Sequence, residues 1–383
     1  MPATPTPAPA SSPAPAPEIR LAAAELLRDC VRQVSDPAAN AGGCHFDGCE
    51  WHSRNDAATG FAPCYAVASG AAALWRFAPE IPGLEVDREA LFHMAAAATD
   101  HLLDLGDARG DGLLVGSELE SMFCGVELAS VTLDLGAALD AARRERWTAA
   151  LERLVAFLIR NGNLADADGA TPKGYNWYTN GNIELDELLL LALAHQITGN
   201  EKYGALYERQ LAFALDPAAS DARWKGFGLS VTREPQRADG ADGRGFLAES
   251  EGADGARGWD PDYTMFQMNI AGRIFLANND ARVLRVLNLL LNQEFTRIDT
   301  EAWLVDCTGG TRRSNKQPFW SNVLAVLAFQ GGRAELSRHI APHLAVIAAE
   351  YRHFLAEGTL PPGLWRGIGT LIPDYLRSAA MGA

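Results

Sequence analysis

The chain has 383 residues, 48% of them hydrophobic and 21% charged, so it can bury a sizeable core and lacks the composition of a disordered protein. A formal net charge of −15 argues against a general nucleic-acid coat or an anionic-membrane binder. No uninterrupted apolar run reaches the roughly 18 residues that suggest a membrane span. Six cysteines (Cys30, Cys44, Cys49, Cys64, Cys124 and Cys307) are too few for a disulfide scaffold of this size.

Residues 1–17, MPATPTPAPASSPAPAP, have no charged leader and no apolar segment. They are expected to form a disordered, extended Pro/Ala tail rather than an intact secretion signal. Location stays open: periplasmic or secreted if a signal was removed, otherwise cytoplasmic.

From residue 18 onward, apolar residues recur at i, i+3, i+4 and i+7. This pattern predicts helices near 18–35, 62–78, 87–105, 117–140, 144–161, 182–198, 201–215, 261–277, 280–294, 318–330, 334–356 and 368–379. Nearly all-apolar Ala/Leu-rich segments alternate with amphipathic ones carrying Arg and Glu. An all-round apolar helix is buried and an amphipathic one lies outside. IELDELLLLALAHQI (183–197) reads as an inner helix and LERLVAFLIR (151–160) as an outer one. There is no strict repeat, which speaks against a consensus solenoid. The pairing predicts an all-α fold over residues 18–383: one α/α toroid of six or seven helical hairpins, (α/α)6 or (α/α)7, with an open helical array as the alternative.

Connections 36–61, 162–181, 216–260 and 306–320 exceed plain turns, and such loops in compact domains are commonly functional. Within 216–260, WKGFGLSV suits a short strand or hairpin, and the Gly/Asp/Ala-rich stretch 238–258 suits a mobile lid.

Several constellations can carry chemistry. In GYNWYTNGNIELDE (174–187), Asn182 is expected to cap the next helix, with Glu184, Asp186 and Glu187 at its positive end. Asn176, Trp177, Tyr178 and Asn180 combine rings with amide donors, as a sugar's C–H face and hydroxyls require; an aromatic turn is the plainer alternative. In GWDPDYTMFQMNIAG (258–272), Asp260 is a candidate N-cap and Pro261 fits the first helical position. Tyr263 then lies in the first turn, where the positive helix end eases a phenolate, with Gln267 one turn below. Tyr263 is a candidate general base or acid, or a packing residue of the rim. Trp259 belongs to the same aromatic segment.

CHFDGCEWHSRND (44–56) spaces Cys44, Cys49 and His52 like a partial zinc set without a fourth ligand, so a disulfide or free thiols compete with metal, and no metal is assigned. There His52 can serve as a base and Arg54 as a carboxylate clamp. GGTRRSNKQPFW (309–320) concentrates Arg312, Arg313 and Lys316 beside Trp320, which suits an anionic ligand or simply a solvated loop. DARGDGLLVGSE (107–118) mimics a calcium loop, but Arg109 stands at a ligand position, so a helix–helix connection is expected.

The paired-helix layout, NWYTNGN at an inner-helix entrance and WDPDYTMFQ at a later one together resemble the α/α-toroid polysaccharide lyases, over about residues 40–330. The resemblance implies β-elimination on a uronate polymer such as alginate or glucuronan, with no cofactor. It implies carboxylate neutralisation by Asn180 (or Asn182) with Arg54 or Arg312, and proton transfer by Tyr263 and His52. Asn176, Trp177, Tyr178, Trp259, Gln267, Arg313, Lys316 and Trp320 would hold the anionic polysaccharide. Lyases of this group often carry a His beside the neutralising Asn; here Thr179 and Gly181 flank Asn180. In an acidic chain a polyanion demands that Arg54, Arg312, Arg313 and Lys316 converge in one cleft. A toroid glycoside hydrolase using Asp186, Glu187 or Asp262, a uronate C5-epimerase, and a carbohydrate-binding scaffold are the competing readings.

Overall fold

A computed structural model describes residues 17–35, 45–46, 51–52, 63–161, 180–215, 228–249, 258–310, 315–357 and 371–380. Among them are twelve α-helices: α1 (Pro17–Ser35), α2 (Pro63–Phe77), α3 (Arg88–Arg109), α4 (Glu118–Leu135), α5 (Ala141–Arg160), α6 (Gly181–Thr198), α7 (Glu201–Leu215), α8 (Pro261–Asn278), α9 (Ala281–Glu294), α10 (Val323–Phe329), α11 (Ser337–Glu357) and α12 (Ile372–Ala380). Short antiparallel pairs interrupt them: β1 (His45–Phe46) with β2 (Trp51–His52), β3 (Leu229–Arg233) with β4 (Arg244–Leu247), and β5 (Ile298–Asp299), β6 (Leu304–Asp306) and β7 (Lys316–Pro318) in one ribbon.

The even-numbered helices form a closed inner ring. α2 packs on α4, α4 on α6, α6 on α8, α8 on α10, α10 on α12, and α12 returns to α2. Each odd-numbered helix lies against the inner helix beside it in sequence, so the fold is an (α/α)6 toroid of six hairpins. Composition dictates the layering. In α6 every residue from Ile183 to Ala194 is buried, which suits a helix flanked by neighbours on all sides. α5 buries one stripe (Trp147, Ala150, Leu151, Leu154, Val155 and Leu158) and turns its Arg and Glu residues outward. The segment Glu118–Ala138 is long and apolar enough for a membrane span by hydropathy alone, but here it is the inner helix α4 with its flanking turn.

Local chemistry starts and stops these helices. Asp87, Ser117, Asp140, Asp260 and Asp280 each accept a first-turn backbone N–H of α3, α4, α5, α8 and α9. α6 ends at Gly199, whose φ of 65° is costly for a side-chain-bearing residue. The N-cap of α6 is Asn180 rather than the expected Asn182, which lies inside the first turn.

Chain direction places function. The connections from inner to outer helix are short: 78–87, 136–140, 199–200, 279–280 and 330–336. The connections from outer to inner helix are mostly long: 36–62, 110–117, 161–180, 216–260, 295–322 and 358–371. All of the latter emerge where the inner helices begin. One mouth of the toroid therefore carries the elaborated loops and six positive helix ends.

The interior away from the mouth is closed by buried charge. Arg273 of α8 reaches across to α4, bonding Glu127 Oε1 and Ser130 Oγ at 2.7 Å each. Arg377 of α12 pairs with Asp374 at 2.8 Å and with Asp134 of α4 at 2.5 Å, and Asn322 at the start of α10 donates to Asp374 at 2.7 Å. Four of the six inner helices are thus cross-linked through paired charges, although Glu127 Oε2 and Asn322 Oδ1 are left without a hydrogen-bond partner.

Candidate active site

The β3–β4 hairpin builds one side of the mouth. The sequence suggested a mobile lid over 238–258, but residues 238–249 are pinned to α9. Asn288 donates to Asp239 O, and Asn292 donates to Ala241 O and Gly243 O, all at 2.9 Å. Residues 250–257 lie outside the described set. Beyond β4 the chain runs against the start of α6, where Gly181 N–H donates to Ala248 O at 2.8 Å. A Cβ at position 181 would meet Leu247 Cβ at 2.6 Å and Gln267 Nε2 at 2.8 Å, so only glycine allows this approach.

The approach delivers Glu249 between the first turns of α6 and α8. Its side chain is buried, with the residue 3% exposed. Oε1 accepts from Gln267 Nε2 at 2.6 Å and from Asn182 N–H at 3.2 Å, and the Asn180 side chain donates to the same carboxyl. Burial pushes the Glu249 pKa up to about 7; the three donors pull it down, and the Asp260 charge pushes it up again. The result is a carboxyl that exchanges its proton near neutrality. Beside it, Asn182 Oδ1 and Gln267 Oε1 are buried acceptors without a donor.

Acids gather behind and beside it. Asp260 caps α8 and is buried, with Gly310 packed so closely that a Cβ there would meet Asp260 Oδ1 at 2.8 Å. Asp262 is half-buried in the first turn. Glu294, at the end of α9, is fully buried and neither carboxyl oxygen has a hydrogen-bond partner. Burial, and then the charges of Asp260 and Asp262, hold its pKa well above the usual carboxylate range. Among the described residues, no group of three or more His, Cys, Asp and Glu side chains is arranged to hold a metal ion.

The structure sorts the residues expected from the sequence. Tyr263 stands half-buried in the first turn of α8, its ring 6.3 Å from Phe266. Asn180 and Asn182 both meet Glu249. Gln267 is buried, its amide spent on Glu249 and on Leu247 O. The Trp259 ring lies against Phe246 (centroids 6.2 Å apart) and under the Arg297 guanidinium at 5.1 Å, with Nε1 donating to Thr264 Oγ1 at 3.2 Å. Trp320 is half-buried, edge-on to Tyr351 at 5.7 Å, and its carbonyl accepts from Asn269. Lys316 is exposed on β7. His52 belongs to β2 by its backbone, paired with His45 of β1. Arg54, Asn176, Trp177, Tyr178, Arg312 and Arg313 lie outside the described residues, as do Cys44 and Cys49.

The carboxylates divide by helix face. Glu184 and Glu187 both accept from Gln210 of α7 and so face the outer layer. Asn182 and Asp186, spaced i and i+4, occupy the opposite face of α6, toward the interior. The would-be calcium loop is a plain connection, with Asp111 bonded to Arg109 and to Leu113 N–H. Of the cysteines, Cys30, Cys124 and Cys307 are buried and outside any disulfide.

Glu249 was missed in the sequence because it sits in an acidic, glycine-rich run that looks solvated. Glu294 and Arg273 were missed because they follow ordinary helical spacing.

No protein-family model matches this chain, and no curated protein matches it. Among solved structures it is similar to the unsaturated glucuronyl hydrolase from Streptococcus agalactiae, with a TM-score of 0.50 and 10% identity over 97% of this chain and 93% of that one. That likeness is one of fold, and it agrees with the toroid read from the helix contacts.

Proposed function

We propose that this chain is a glycan-cleaving enzyme acting on a uronate-containing saccharide, with Glu249 as its proton donor. The carrying observation is a buried carboxyl with a pKa of about 7, hydrogen-bonded between two inner-helix starts at the elaborated mouth of a toroid. A general acid works best when its pKa lies near the working pH. Glycoside hydrolysis asks for such an acid together with a second carboxylate that activates water or attacks the sugar. Asp186 on the interior face of α6 and Asp262 at the start of α8 are the two candidates. Glu187, facing α7, is not. The uronate assignment draws on the fold's likeness to a structure named for glucuronyl hydrolysis and on the aromatic and amide residues of the mouth.

β-Elimination is the second reading, favoured by Tyr263 at the positive end of α8. It would use Tyr263 as the proton-transfer group and Asn182 against the uronate carboxylate. Asn180 is less suited, because its side chain is engaged with Glu249. The two readings separate by product. Alginate, glucuronan, hyaluronan, pectate and their oligosaccharides would be supplied in parallel, following reducing ends and ultraviolet absorbance together. New reducing ends without an unsaturated-uronate band support hydrolysis. A rising band sinks the Glu249 mechanism and transfers the chemistry to Tyr263.

A further inference from the structure

We infer that the rim of the toroid carries a second, non-catalytic glycan site: a pocket between α3 and α5 that holds a uronate unit of a polymer chain at a distance from Glu249. The ligand class rests on the uronate reading above; the pocket itself stands apart from the site of cleavage. It has a volume of about 340 Å³ and lies between the end of α3, the 110–117 connection and the second half of α5. That size falls in the range of small-ligand sites. The 110–117 connection runs from an outer to an inner helix, so the pocket opens at the same end of the toroid as Glu249.

Leu103, Leu114 and Ala156 give the pocket an apolar floor, and Asp107, Asp111, Arg153 and Arg160 give it a charged rim. A sugar uses both, an apolar surface for its C–H face and polar groups for its hydroxyls. The rim charges are not equally available. Asp107 is held by Arg153 at 2.7 Å and by Arg146 at 3.0 Å. Asp111 is held by Arg109 at 2.7 Å and accepts the Leu113 N–H at 3.0 Å. Arg160 is exposed, with its guanidinium 5.9 Å from the Phe157 ring and no carboxylate at ion-pair distance among the described residues. One uncommitted guanidinium beside acids already neutralised suits a single carboxylate. The neutralised acids keep lone pairs for sugar hydroxyls. α3 and α5 both end here, and their negative ends oppose an anion, so retention of a uronate depends on Arg160. α5 packs against α6, whose first turn meets Glu249, which puts the pocket about two interhelical spacings, roughly 20 Å, from that acid. A polymer that spans both gains apparent affinity from the second contact; a trisaccharide does not.

The experiment compares steady-state cleavage of the best polymer of the panel with that of its trisaccharide, in wild type, Arg160→Glu and Ala156→Trp. Expected is a polymer KM raised about tenfold in each variant, the scale of one charged hydrogen bond, with kcat and the trisaccharide kinetics unchanged. An unchanged polymer KM in folded variants overturns the proposal. So does an equal loss on both substrates, which would place the effect at the cleavage site. Thermal melts establish folding, and Arg160→Glu, which alters an exposed side chain, decides alone if Ala156→Trp does not fold. If wild type cleaves no polymer or oligomer, the glycan-cleaving reading fails and binding decides this one. Affinity electrophoresis through gels containing alginate or glucuronan should then retard wild type and retard Arg160→Glu less. No retardation of wild type, or equal retardation of the two proteins, overturns the proposal.

Discussion

Gln267 of α8 donates from Nε2 to the carboxyl of Glu249 at 2.6 Å, tying the mouth of α8 to the chain that follows β4. The same Glu249 oxygen accepts the Asn182 N–H of α6, so one buried acid joins two inner helices. Its proton affinity follows from that placement. Desolvation outweighs three favourable donors, and the acid is poised between its protonated and ionised forms near neutral pH.

Glu249→Gln should abolish turnover while strengthening the fold. The folded pKa (about 7) lies above the ordinary glutamate value of 4.5, so between these values the folded state holds a proton that the unfolded chain has lost. Stability from this group is complete below about 4.5 and is lost as pH rises through about 7. Full ionisation corresponds to about 3 kcal/mol, which the amide escapes. Denaturant melts on either side of neutrality should show the variant gaining on wild type as pH rises; a constant difference would count against the placement of Glu249. In the wild type, kcat should fall on the alkaline side as the acid loses its proton.

Tyr263→Phe distinguishes the two chemistries. If Glu249 is the acid, removing the phenol oxygen costs modestly. If Tyr263 transfers the proton, kcat should drop by about a hundredfold or more with KM little changed. Steady-state kinetics on the best saccharide of the panel decide.

The Arg273–Glu127 pair should be asymmetric to mutation. Removing one partner, as in Glu127→Ala, takes the direct ion pair from a buried guanidinium, which keeps only Ser130 Oγ and the Asp374 carboxylate at 4.0 Å, and should cost up to about 3–5 kcal/mol. Replacing both, with Arg273→Met and Glu127→Leu together, should recover much of that loss. Equilibrium unfolding of the single and double variants measures the coupling; additive losses would show that the pair does not act as a unit.

Glu294 gives a prediction distant from turnover. It is fully buried, without a hydrogen-bond partner, and held in its protonated form by burial and by Asp260 and Asp262. A raised folded pKa means its contribution is present at low pH and lost on ionisation. Glu294→Gln should therefore raise Tm increasingly toward alkaline pH. Thermal melts across the pH range test it, and a variant that melts lower at alkaline pH would contradict it.

Sequence periodicity alone determined the helices and their two-layer order. α6 shows why: a segment apolar on every side has one stable environment, enclosure by other helices. Caps were legible for the same local reason, since Asp260 and Pro261 act within their own turn. The same pairing pointed to a toroid of six or seven hairpins, but the choice of six, and of a closed ring over an open array, depends on α12 meeting α2, a contact between distant parts of the chain. The site divides along the same line. Tyr263 could be placed at a helix start from its neighbours in sequence. Glu249 could not, because its character comes from Gln267, Asn182 and Asp260, which only the folded chain brings around it, and from the loss of water there. Asp186 and Glu187 are adjacent in sequence and alike in chemistry. Tertiary packing alone turned one toward the interior and the other toward Gln210.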